Sequence, residues 1–253
     1  MKTKIRNKKK HLLISLCIVC LFGGMYAQDS KPKPKVTPQP SVTTKTPAAK
    51  ATSTTTDNKY GTVADIDGNV YKTVKIGNQI WMAENLKTTL YNDGTPIPMV
   101  TDNNEWGSLQ TGAFCFFNNN KSNSGCGNLY NWYAVNAGKL APQGWHVPTD
   151  EDWSELFTYL GGTDVAGKKM KSKKGWAENG NGTNESGFSG SPCNGYRAYF
   201  GGGFAPDKWS GTYWYSTSGT TYQLHYSRDD VIVDKVRSEA SYVYGYTIRC
   251  IKD

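Results

Sequence analysis

The sequence is poor in the residues that usually carry metal and acid–base chemistry. Of 253 residues only 3 are His, and beyond residue 27 these are His146 and His225. There is no His-x-x-x-His pair, no Cys-x-x-Cys beyond the leader, and no glycine-rich phosphate loop ahead of a helix. No long apolar segment occurs either. The longest run, Leu12 to about Met25, is about 14 residues, short of the roughly 20 that span a bilayer. The composition also excludes collagen, coiled coils and multi-span membrane proteins.

What is abundant is positive charge, but it is unevenly placed. The chain carries 29 Lys and Arg against 21 Asp and Glu, a net charge of +8. Residues 1–30 hold six bases and one acid, and residues 31–59 hold six Lys and one acid. The remaining 60–253 therefore has 17 bases and 19 acids and is close to neutral. The basic balance belongs to a leader and a tether, so no nucleic-acid partner is expected.

Residues 1–27 read as a secretory signal peptide: a basic start, a short apolar run, and Ala27 ahead of a polar segment. Cys17 and Cys20 are ordinary members of that run, because Leu16 and Val19 precede them where a lipidation signal has small residues. No membrane span is expected after cleavage. Residues 28–59 read as a disordered Pro/Thr/Lys-rich tether, with Pro32, Pro34, Pro38, Pro40 and Pro47. They hold too little apolar surface to fold. In extended form the tether reaches on the order of 100 Å, enough to hold a domain off a surface.

Residues 60–253 form the folding unit. Tyr60–Asp65, Val70–Ile76 and Gln79–Met82 are strand-like runs separated by Asp67-Gly68 and Gly77-Asn78 turns. Asp65 to Asn69 has the opening of a calcium loop but lacks its distal Glu, and reads as a hairpin turn. Thr149 is an N-cap, and Asp150, Glu151 and Asp152 fill a first helical turn where the dipole favours anions. Trp153, Leu156, Phe157 and Leu160 make one apolar face, and Gly161-Gly162 ends the helix. A shorter helix is expected from Asp164 to Lys171, with Lys168, Lys169 and Lys171 on a solvated face. Strands are expected at Trp214–Ser218, Tyr222–Tyr226, Val231–Val236 and Tyr246–Ile251. Strands, then helices, then loops and strands again make an α+β pattern.

Beyond the leader four cysteines remain: Cys115, Cys126, Cys193 and Cys250. In an exported chain they suggest two disulfides, with three possible connectivities. Cys115 and Cys126 bracket an Asn/Ser/Gly-rich loop, and pairing them leaves Cys193 with Cys250. The competing reading is that one or more is buried and reduced. His146 reads as a structural residue before the helix, and His225 as outward-facing. No catalytic residue, metal site or cofactor is expected. The aromatic load is the functional clue, since rings stack on sugar faces and neighbouring polar groups supply hydrogen bonds. Trp209, Tyr213 and Asp207, in and beside the Asp207–Gly211 loop, are the candidate ligand-binding residues. Trp214 and Ser216 are expected in the core.

Several blocks together resemble a known family. They are Ile80-Trp81-Met82-Ala83-Glu84-Asn85-Leu86, Leu129-Tyr130-Asn131-Trp132-Tyr133-Ala134-Val135 and Gly144-Trp145-His146-Val147-Pro148-Thr149. With them go Ala166-Gly167-Lys168-Lys169-Met170, Gly195-Tyr196-Arg197, Tyr213-Trp214-Tyr215-Ser216-Thr217 and Ile248-Arg249-Cys250. In this order and spacing the chain is similar to the Fibrobacter succinogenes major paralogous domain, from about Gly61 onward. The resemblance implies a bacterial exported protein and a C-type-lectin-like fold: short antiparallel strands, one or two helices and long loops. It also implies the Cys115–Cys126 bridge, and a relocated Cys193–Cys250 bridge, because Ala141 stands where the family commonly has Cys. The calcium-lectin triplets Glu-Pro-Asn, Gln-Pro-Asp and Trp-Asn-Asp are absent, which disfavours that kind of sugar site. A lectin-like fold alone does not mean sugar binding. The expected function is an exported or cell-surface, non-catalytic binding module for a glycan or protein. The alternatives are a structural or adhesive surface protein and, last, an enzyme of that superfold.

Overall fold

The computed structural model describes residues 59–192, 196–197, 203–204, 212–235 and 242–253. The leader and the tether up to residue 58 lie outside the described residues, as do Cys193, Asp207 and Trp209.

The first three strands form where the sequence places them. β1 is Tyr60–Ala64, β2 Val70–Ile76 and β3 Gln79–Met82. They form an antiparallel meander with Ala64 opposite Val70 and Ile76 opposite Gln79. The Asp-Gly turn uses its own carboxylates. Asp65 accepts from the Asn69 amide at 2.9 Å and from the Tyr71 hydroxyl at 2.5 Å, and Asp67 accepts from Thr89 N at 2.5 Å. Gly68 has φ +82°, which only glycine adopts without strain.

The meander is completed from far along the chain. β6 is Trp145–His146 and β10 is Ile251–Lys252. β10 inserts between β3 and β6, giving the order β1-β2-β3-β10-β6. Two smaller sheets accompany it. β4 (Phe114–Cys115) pairs with β5 (Leu129–Tyr130), and β7 (Thr212–Tyr215), β8 (Thr221–Leu224) and β9 (Ile232–Asp234) pair in sequence order. Among the described residues four α-helices connect them: α1 Asn103–Gly107, α2 Trp132–Asn136, α3 Asp150–Tyr159 and α4 Thr163–Met170. Mixed helices and antiparallel sheets make this an α+β protein. No helix of the described residues is long and apolar enough to cross a membrane.

α3 is capped as its sequence dictates. The Thr149 hydroxyl accepts from Asp152 N, and the Asp152 carboxylate accepts from Thr149 N, a reciprocal capping box. Its face of Trp153, Leu156, Phe157 and Leu160 is buried against the meander and β7–β8. Trp153 is the hub. Its ring lies 4.8 Å from Trp81 and stacks on Tyr222 at 4.7 Å. Trp214 and Ser216 are buried, as expected. A second cluster gathers Tyr71, Met82, Tyr130, Tyr215, Ile248 and Cys250, and a third gathers Trp106, Cys115, Phe117 and Leu129.

The cysteines depart from expectation. Cys115 and Cys250 are free, buried thiols, so neither a Cys115–Cys126 nor a Cys193–Cys250 bridge is present. The reason is packing. Each thiol is turned into a different apolar cluster, where cysteine serves as a small hydrophobe. Burial pushes the Cys115 thiol up to about 11, partly offset by the Arg197 guanidinium. Cys126 is disulfide-bonded, and its partner is neither of those two.

Candidate functional site: a tyrosine-lined cleft

The β7–β8–β9 sheet has two unlike faces because strand side chains alternate. Trp214 opposite Tyr222 faces the Trp153 core. Tyr213, paired with Gln223, and Gln223, paired with Ile232, face the other way. On that outer face a cleft of about 510 Å³ opens, lined by Tyr196, Tyr213, Gln223, Asp234, Tyr244 and Tyr246, with Thr221, Ile232, Val233 and Lys235 at its margins.

The rings form one connected stack. Tyr213 and Tyr246 are stacked at 5.4 Å, and Tyr244 and Tyr246 at 5.7 Å with planes 2° apart. Tyr196 meets Tyr213 edge-on at 5.0 Å, and Tyr215 supports Tyr246 from beneath at 4.8 Å. Hydrogen bonds fix the assembly. The Gln223 carboxamide donates to the Tyr213 hydroxyl at 2.7 Å, and the Tyr215 hydroxyl donates to the Tyr244 carbonyl at 3.0 Å. The Thr247 hydroxyl donates to the Tyr213 carbonyl. Burial raises the Tyr213 and Tyr246 phenols well above their ordinary range, so both are neutral donors at physiological pH.

The cleft therefore offers flat aromatic faces, neutral hydroxyls, a carboxamide and the Asp234 carboxylate. Among the described residues no histidine or cysteine lines it. Its chemistry suits reversible binding of a polyhydroxylated ligand.

Of the sequence-predicted ligand residues, Tyr213 lines the cleft half-buried. Asp207 and Trp209 fall outside the described residues. Tyr196, Gln223, Asp234, Tyr244 and Tyr246 were not singled out. The pairing of β7 with β8 sets Tyr213 and Gln223 on one face, and the approach of residues 244–246 to Tyr196 is a tertiary contact.

Other candidates resolve into structural parts. His146 bridges two carboxylates, Asp253 at 2.6 Å and Asp152 at 3.1 Å, and ties the end of β10 to the α3 cap. His225 is half-buried and bonded to the Ser227 hydroxyl at 2.8 Å. Asp150 accepts from Ser218, Thr220 and Tyr222. It clamps the β7–β8 turn, and those donors hold its carboxyl low against the opposing effect of burial. The α4 lysines are only partly solvated. Lys168 pairs with Asp229 at 3.0 Å, whereas Lys171 is 1% exposed and donates to the Arg228 carbonyl at 2.6 Å. Lys171 sits at the helix end, where its ammonium lies 5.5 Å over the Trp176 ring. Among the described residues no group of three or more His, Cys, Asp and Glu converges as a metal site.

No curated protein and no solved structure matches the chain. The model of the Fibrobacter succinogenes major domain matches residues 74–252, which takes in the end of β2, all of β3 to β10, α3 and the tyrosines of the cleft. The chain belongs to the Fibrobacter succinogenes major domain family.

Proposed function

We propose that this protein is an exported, non-catalytic binding module that takes a glycan in the tyrosine cleft. The observation that carries the reading is the stack of Tyr196, Tyr213, Tyr244 and Tyr246 around a 510 Å³ opening. Sugar rings present apolar faces to such aromatics, and Gln223, Asp234 and neutral phenols satisfy their hydroxyls. The basic leader, short apolar run and Pro/Thr/Lys tether support export and display away from a surface. A C-type-lectin-like arrangement belongs to this proposal. It is supported by the Gly144–Thr149 turn feeding α3 and by the closing Arg249–Cys250 segment beside it.

A protein ligand is the second reading, favoured by one observation. β9 hydrogen-bonds to β8 alone among the described strands and forms a rim of the cleft, so a partner strand has a place to add. A glycan array probed with the full chain, alongside Tyr213→Ala and Gln223→Ala, tests the proposal. Array signal that both variants abolish supports it. A blank array with protein partners captured through β9 overturns it.

A further inference from the structure

A second, chemically different surface lies on the outer face of the five-stranded sheet. Its register aligns one residue from each strand in a single row. Lys75 on β2 is opposite Ile80 on β3, and Lys252 on β10 is opposite Trp145 on β6. Ile251 opposite Trp81 sets Lys252 beside Ile80. At the other end the Lys75 amide donates to the Lys59 carbonyl at 2.7 Å, extending the row by one residue. The row therefore reads Lys59, Lys75, Ile80, Lys252, Trp145. At the usual strand spacing it is about 19 Å long.

These five residues line one depression of about 500 Å³, and among the described residues no carboxylate lines it. It adjoins another, lined by Lys59, Lys75, Lys169, Tyr159 and Glu185. Together they bring four lysines against one carboxylate, in a region where acids outnumber bases. Tyr60 and Tyr159 stand 62% and 64% exposed beside them. Like charges directly across a sheet destabilise it, so Lys59 beside Lys75 does nothing for the fold. Lys59 donates to the Glu185 carbonyl at 3.3 Å, so its ammonium group is already held near the groove.

We propose that this row binds an acidic polysaccharide, its carboxylate or sulfate groups on the lysines and a sugar ring on Trp145. The point charges are lysines only. Among the described residues the forked arginine that reads phosphate bidentately is absent from both linings. The surface is concave, whereas a membrane-docking face protrudes. This site is separate from the tyrosine cleft and does not depend on it.

The test uses the full chain with heparin and polygalacturonate as probes and neutral dextran, duplex DNA and anionic vesicles as comparators. The variant Lys75→Glu/Lys252→Glu is set beside Lys173→Glu/Lys174→Glu, an equal charge change at exposed lysines off the row. The expected result is salt-sensitive binding to an acidic polysaccharide that falls about tenfold or more in the row variant. The control pair and Tyr213→Ala retain it, and thermal melts show both lysine variants folded. Equal losses in the two lysine pairs overturn the proposal, because the tether's charge would then explain the binding. Absence of binding to either polyanion, or tighter binding to DNA or vesicles, also overturns it.

Discussion

The side-chain oxygen of Asn85 accepts two hydrogen bonds from Arg249, from Nε at 3.1 Å and from Nη2 at 3.0 Å. The same oxygen accepts from the Trp214 indole at 2.9 Å. Arg249 is 2% exposed, and its guanidinium lies 4.2 Å over the Phe188 ring. Its remaining nitrogen donates to the Phe188 carbonyl. Burial pushes this guanidinium down to about 9. Asn85, Trp214 and Arg249 come from three separate sequence blocks, and this one oxygen joins them.

Replacing Asn85 strands a buried cation. Asn85→Leu is expected to cost about 3–5 kcal/mol, since two of the three guanidinium nitrogens lose their acceptor in an apolar setting. Asn85→Asp keeps the oxygen and adds an opposite charge, so it should cost less. Urea unfolding of both variants checks the order, and a Leu variant as stable as Asp would refute this account of Asn85.

Gly167 shows a different kind of constraint. It lies inside α4, where glycine normally weakens a helix. A Cβ there would run into the carbonyl oxygens of Asp230 and Asp229. Those carbonyls belong to the loop that α4 docks against, through Lys168 N to the Asp229 carbonyl at 2.8 Å. Gly167→Ala should therefore destabilise by about 1–3 kcal/mol despite its better helix propensity. Gly125→Ala, where a Cβ meets nothing within 4 Å, is the control. Comparable melting temperatures for the two would show that the close approach is not limiting.

Those residues mark what the sequence could convey. α3 was legible from Thr149 to Gly162 because cap, dipole charges, apolar period and stop signal all agree. The meander was legible because β-rich runs flank Asp-Gly and Gly-Asn turns. The strand expected over Tyr246–Ile251 is instead a set of isolated bridges, with regular pairing only at Ile251–Lys252. Its position between β3 and β6 depends on a partner some 170 residues away, which no local pattern encodes. Buried Arg249, Arg197 and Lys171 were invisible for the same reason. Their acceptors include backbone carbonyls and the side-chain amides of Asn85 and Asn103, and the one carboxylate near Lys171, Asp229 at 3.7 Å, is 58 residues away, so no local charge pattern marks them. The cleft was legible only at Tyr213, through its place beside the Asp207–Gly211 loop, because tertiary packing alone gathers the other rings.

The two free cysteines carry a direct chemical prediction. Cys115 and Cys250 are enclosed in separate clusters, and burial raises both thiols. In the folded chain neither should react with a thiol reagent at pH 8, and both should react once urea opens the core. Cys126 should stay blocked until a reductant is added. Mass mapping without reductant checks this, and a Cys115–Cys126 or Cys193–Cys250 peptide would contradict it.

Alkaline pH should unfold the protein through its tyrosines. Burial raises the phenols of Tyr71, Tyr130, Tyr213, Tyr215, Tyr222 and Tyr246 above their ordinary value of 10.0. A group whose folded pKa exceeds its unfolded one keeps its full contribution below the unfolded value. That contribution falls as pH climbs toward the folded value, because the unfolded chain releases protons the folded chain retains. The melting temperature should accordingly be flat with respect to tyrosine ionisation up to about pH 9 and fall steeply above about pH 10. Ultraviolet titration should show these phenols ionising together with unfolding, not before it. Tyr213→Phe removes one such proton from the cleft wall, so the alkaline limb should become shallower while neutral-pH stability changes little. Six phenols ionising normally in the still-folded protein would show that the packed tyrosines are open to solvent.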